Sequence, residues 1–242
     1  MKAADGVLAQ VSTCEERRDR FGLLRRRAAG RAIPASVVHP SSDAPLQLLS
    51  RLVTRDSAFL EVAATDCSLA LSLAGSVRRV YAVARSAVIT GTRRFPANFH
   101  LIAAEGSCIP VPQASIDVAY SNGLVDQLDP EQTCEQLANV QRALTRGGVF
   151  ICCARNRLLG AADVGNGVAP PYTFSELRAM LRKVGFRTVA QYARCAGANV
   201  TLPGSLARLL ELVVCTMPQS QSAQAGNSWL RGMLEIRLVA RK

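Results

Sequence analysis

The stretch FLEVAATDCSLALSLA, Phe59–Ala74, decides the fold. It opens on an apolar run of strand length, crosses a short turn at Thr65 and Asp66, and resumes with leucine and alanine at helical spacing. A buried strand feeding a turn and then a helix is the first unit of a nucleotide-binding α/β layer. In such layers the turn is rich in glycine, because the backbone passes close to a ligand. Here the turn holds none.

Outward from this stretch the chain alternates. RRVYAVA (residues 78–84), FHLIAAEG (99–106), SIDVAYSN (115–122) and GGVFICCA (147–154) read as further strands. Between the last two, a helix begins at Asp129 and Pro130 and is expected to stop at Gly147. TFSELRAMLRKVGF opens with a capping box, Thr173 with Glu176, and closes on Gly185. Two more strands follow, near residues 187–192 and 232–239. Buried strands alternating with helices predict an α/β fold. The expected form is a Rossmann-like, doubly wound, mostly parallel seven-stranded sheet with helices on both faces and an antiparallel last strand. Residues 1–50 read as an N-terminal helical arm or lid, and 51–242 as the Rossmann-like domain.

Composition narrows the function classes. About half of the 242 residues are apolar (49%), enough for a substantial core. No apolar run is long enough to span a bilayer, and the N-terminus is too polar for a secretory core. The expectation is a cytoplasmic protein. The eight cysteines form no CxxC pair and no zinc spacing, so no metal is expected and most read as small buried hydrophobes. The net charge is +11, with arginine clusters at EERRDRF (15–21) and LLRRR (23–27). They read first as a solvated helix face. No aromatic residues are interleaved to stack bases, so nucleic acid is not the expected partner.

Taken in order, these pieces resemble the class I S-adenosylmethionine-dependent methyltransferase family, of the small type 11 group. FLEVAATDC stands in the place of that family's acidic-x-Gly-x-Gly motif. RRVYAVARS occupies the second strand, which in the family ends in an acid. IAAEGSCIPVPQASIDVAYSNGLVDQL (102–128) resembles the adenine-side segment and fourth strand. VQRALTRGGVFIC (140–152) resembles the helix end before strand five, and YTFSELRAMLRKVGF (172–186) the late helix ending in Gly-Phe. The resemblance covers about residues 55–242.

It implies a cofactor, S-adenosylmethionine, and residues to hold it. Glu61 ends strand one, and Ala63, Thr65, Asp66 and Cys67 fill the turn. Ala84 stands where the family's acid grips the ribose hydroxyls. Glu105, Gly106 and Ile109 fall on the adenine side, and Ser121 and Asn122 beside the methionine moiety. Glu61 and Asp66 read equally well as caps of the next helix. Thr65 is a β-branched residue in a turn that favours glycine. Ala84 offers no acceptor, and Arg85 cannot replace one. Asp126, in the VDQL segment with Gln127, is the candidate base.

Two functions follow. The first is methyl transfer to a small-molecule acceptor. The second is a degenerate methyltransferase fold that has lost S-adenosylmethionine, serving as a scaffold or partner subunit or running another reaction in the old pocket. A protein partner at the basic N-terminal arm is a further expectation.

Overall fold

The computed structural model describes residues 43–62, 67–84, 95–104, 106–159, 172–195, 198–216 and 235–242. The expected N-terminal arm lies almost wholly outside them. The chain divides into two compact units, after Pro112. Eight strands build a mostly parallel eight-stranded sheet.

The first unit opens with α1 (Asp43–Ser50) and β1 (Ala58–Val62). All five β1 residues are buried, Glu61 among four apolar side chains, as expected when both faces of a strand are covered. Phe59 and Leu60 are fully enclosed, each worth about 1.5–3 kcal/mol of burial. α2 (Ser68–Leu73) follows the turn, then β2 (Arg79–Ala84) and β3 (Phe99–Ala103). The order is β3-β2-β1, all parallel, with Leu60 opposite Tyr81 and Tyr81 opposite His100. The Tyr81 and His100 rings stack at 5.2 Å. Asn98 ties the β2–β3 connection back by donating to the Ala74 and Val77 carbonyls.

The second unit carries β4 (Ile116–Asn122), α3 (Pro130–Ala143), β5 (Leu144–Ala154), α4 (Phe174–Lys183), β6 (Thr188–Cys195), β7 (Ala198–Leu202), α5 (Gly204–Thr216) and β8 (Ile236–Arg241). The order is β4-β5-β8-β6-β7. β4 and β5 are parallel, and β8 runs antiparallel to both β5 and β6. β7, a strand beyond the seven read from the sequence, pairs antiparallel with β6.

Local chemistry places these elements. Asp129 caps α3 by accepting from Gln132 N–H at 2.8 Å, and Pro130 fills the first helical position. The helix stops at Ala143, four residues before Gly147, because Leu144 already turns to extended geometry. Its carbonyl accepts from Lys242 Nζ at 2.8 Å, and the Thr145 hydroxyl reaches Asp117 at 3.1 Å. α4 begins at the expected capping box, the Thr173 and Glu176 side chains each accepting from the other's backbone N–H. It ends at Lys183, with Val184 as its C-cap and Gly185 just beyond at φ 104°, a value that suits glycine. Leu137, Leu177 and Leu181 are fully buried, and Phe150 stacks on Phe186 at 6.0 Å.

Candidate functional site

In the first unit the described residues flank the turn after β1. Glu61 is buried, and its Oε2 accepts the Ala70 N–H at 2.9 Å. Ala70 is in the first turn of α2, where backbone donors lack helical partners. The strand acid therefore supplies the cap that Cys67, at the N-cap position, does not. Cys67 holds φ 57° and ψ 16°, the left-handed region that favours glycine. The turn thus keeps a glycine-type conformation at a non-glycine residue. Ala63, Thr65 and Asp66 lie outside the described residues, as does Glu105.

Ala84 ends β2 and is buried, and its carbonyl accepts from Ala104 N–H at 3.0 Å. Its methyl group is no acceptor for a ribose. Past β3, Gly106 has φ +61° with open space where a Cβ would stand. Ile109 is fully buried. Cys108 is disulfide-bonded and so departs from the reading of the cysteines as thiols. Cys67, Cys134, Cys152 and Cys153 form no disulfide.

In the second unit β4 ends at Ser121 and Asn122, opposite Cys152 and Cys153. Asn122 is exposed, whereas Ser121 is 2% exposed and its Oγ has no hydrogen-bond partner. A buried hydroxyl left unpaired costs about 1–3 kcal/mol, so it marks a place where a partner belongs. Gly123, at φ +67°, turns the chain and donates to the Cys153 carbonyl at 2.9 Å. The turn brings Asp126 back over the end of β5. Both Asp126 carboxylate oxygens accept the Arg155 backbone N–H at 3.3 Å, and Oδ2 also accepts its Nε at 3.3 Å. Burial pushes the Asp126 carboxyl above the ordinary aspartate range, against the pull of Arg155. At the start of β8, Arg237 pairs with Glu235 through Nη2 while its Nη1 is buried without a partner.

The sequence therefore located Glu61 and Ser121 at strand ends and Asp126 just beyond one. It did not single out Arg155. The only signal was an arginine directly after strand five, in CCAR. Among the described residues no group of three or more histidine, cysteine or acidic side chains could hold a metal ion. No described helix is long and apolar enough to cross a membrane.

The sheet and its helices define a class: the fold is that of the class I S-adenosylmethionine-dependent methyltransferases. Among solved structures, one similar chain belongs to the complex of the Haloferax volcanii Trm112 methyltransferase activator with a methyltransferase. It is 14% identical, with TM-score 0.57 over 81% of this chain and 88% of that one. A SAM dependent methyltransferase from Archaeoglobus fulgidus is 15% identical, with TM-score 0.55 over 82% of this chain and 92% of its own. A Haemonchus contortus phosphoethanolamine N-methyltransferase 2, solved with S-adenosyl-L-methionine, is 12% identical, with TM-score 0.53 over 83% of this chain and 52% of its own. No protein-family profile matches the sequence, and no curated protein does.

Proposed function

We propose that this chain is an S-adenosylmethionine-dependent methyltransferase acting on a small-molecule acceptor. The observation that carries the reading is the turn after β1. Cys67 holds a left-handed conformation there, and Glu61 anchors the following helix through Ala70 N–H, in a fold shared with methyltransferases. A non-glycine residue in that conformation costs about 1–2 kcal/mol, so the turn shape is maintained at an expense.

The described residues fit the cofactor in part: the Ser121 Oγ is an unpaired hydrogen-bonding group, whereas Ala84 offers the ribose no acceptor. Glu61, Ala63, Thr65 and Asp66 would line its amino-acid and ribose side. Glu105, Gly106 and Ile109 would meet the adenine, and Ser121 and Asn122 the methionine moiety. The unpaired Ser121 Oγ is a ready hydrogen-bonding group for it. When bound, S-adenosylmethionine supplies an electrophilic methyl group on a positive sulfonium. The chain's own contribution is to hold the acceptor in line and keep water out, and alignment alone accounts for much of such catalysis. Asp126 serves this by orienting a neighbour, since its carboxylate is taken up by Arg155. The arginine-rich N-terminal segment is proposed to meet a protein partner, a reading consistent with one neighbour having been solved with an activator.

One observation favours the second reading, a fold that has lost the cofactor. Ala84 is buried and apolar where an acid would grip the ribose. Ala84→Asp separates the two. A hydrogen bond to a charged group is worth about 1.5–3 kcal/mol, so the variant should bind S-adenosylmethionine at least about tenfold more tightly. Binding seen only in the variant would establish the second reading. Unchanged affinity would show that β2 does not end at the ribose and would overturn the cofactor placement.

A further inference from the structure

We propose that Arg155 is an oxyanion receptor: its guanidinium fork binds a carboxylate or phosphate group on the acceptor molecule, and Asp126 is the positioning residue that aims it. The inference rests on the methyltransferase reading for the word acceptor, and on the second unit's geometry for everything else.

Arg155 stands immediately past the C-terminal end of β5, which closes at Ala154. Its side chain is 43% exposed, while that of Asp126 is only 4% exposed. A surface arginine has no need of a buried anion. Removing a carboxylate from water costs several kcal/mol and is offset only by good pairing. Here the buried carboxylate takes both the backbone N–H and Nε of one residue, each at 3.3 Å. The result is a guanidinium fixed at its base. Arginine carries five donors, and among the described residues only Nε–H is engaged. The two terminal nitrogens meet no acceptor among the described residues. A fork with its inner edge tethered and its outer donors open matches the planar, two-pronged geometry of carboxylate and phosphate. Tethering also removes rotamer freedom in advance, so less is lost when an anion docks.

A second observation points to a ligand at the same rim. Ser121 is 2% exposed and its Oγ has no partner. Ser121 lies opposite Cys152 in the β4–β5 register. Burial above all, then the neighbouring Cys153 and the Asp126 charge, pushes the Cys152 thiol well up, so Asp126 stands within electrostatic reach of that pair. An unpaired hydroxyl and an open guanidinium therefore share one end of the β4–β5 pair. With a chain charge of +11, long-range attraction brings anions toward it.

The test is site-resolved labelling of the full chain with phenylglyoxal, which attacks guanidinium groups, read by peptide mapping. Inorganic phosphate and acetate are added separately at matched ionic strength. Protection follows one plus ligand over Kd, so ligand at four times Kd should slow labelling of Arg155 about fivefold. Exposed Arg51 and Arg55 serve as references and should be unaffected. Protection by phosphate alone, or by acetate alone, names which oxyanion is taken. Equal slowing at all three arginines, or none at Arg155 with either anion, overturns the proposal. Asp126→Asn should leave Arg155 labelled but unprotected, whereas full protection in that variant removes the positioning role. No cofactor is needed, so protection that persists while S-adenosylmethionine fails to bind would leave the receptor standing without the enzyme. Lost protection with intact cofactor binding would remove the receptor alone.

Discussion

Cys67 carries the conformation that the turn after β1 demands, at φ 57°, with a buried side chain. The strain is separable from the lost thiol by comparing two variants. Cys67→Gly and Cys67→Ala both remove the sulfur, but only alanine keeps a Cβ in the left-handed region. Glycine should be the more stable by about 1 kcal/mol in chemical denaturation. A more stable alanine variant would show that the turn does not hold this shape. The sequence offered Glu61 two readings, cofactor acid and helix cap, and the structure displays the capping one through Ala70. Arg155 was not legible. Its partner is 29 residues away, and only the β4–β5 register and the turn at Gly123 bring the two together.

At the scale of elements, capping chemistry was readable because it is local. Thr173 and Glu176 are three residues apart and form the box their spacing announces. Burial draws the Glu176 carboxyl upward, but the Thr173 N–H and the Arg157 guanidinium outweigh it and hold it below the ordinary glutamate range. A carboxyl that titrates lower when folded contributes stability above its unfolded value of about 4.3, and loses it as pH falls through the folded one. Glu176 is nearly half exposed, so the contribution is that of a surface group. Glu176→Gln should cost about half a kcal/mol near pH 7 in urea titrations, and the gap should close below about pH 4. A gap that widens in acid would contradict the sign. Elements fixed by distant contacts were harder to read. Gly147 and Gly148 look like a helix stop, yet β5 already starts at Leu144, set by Lys242 and Asp117 from elsewhere in the chain. β7 is five residues long with Val200 exposed, and it owes its existence to pairing with β6.

For the molecule as a whole, the alternation of buried strands and helices was enough to read an α/β sheet with an antiparallel last strand, since burial on both faces writes itself as unbroken apolar runs. Activity is not written that way, because a fold hosts many functions and the cofactor is held by a few side chains. On the proposed reading the strand ends carry two kinds of residue: Glu61 and Ser121, which would hold the cofactor, and Ala84, which stands where an acid would grip the ribose. The proposed function requires that Glu61 and Ser121 help hold a nucleoside sulfonium although Ala84 supplies no acceptor. Isothermal titration of the full chain with S-adenosylmethionine and S-adenosylhomocysteine measures this directly. The predicted result is saturable one-site binding with Kd tighter than about 100 µM, about 5.5 kcal/mol or more. No binding of either compound at millimolar concentration would contradict it.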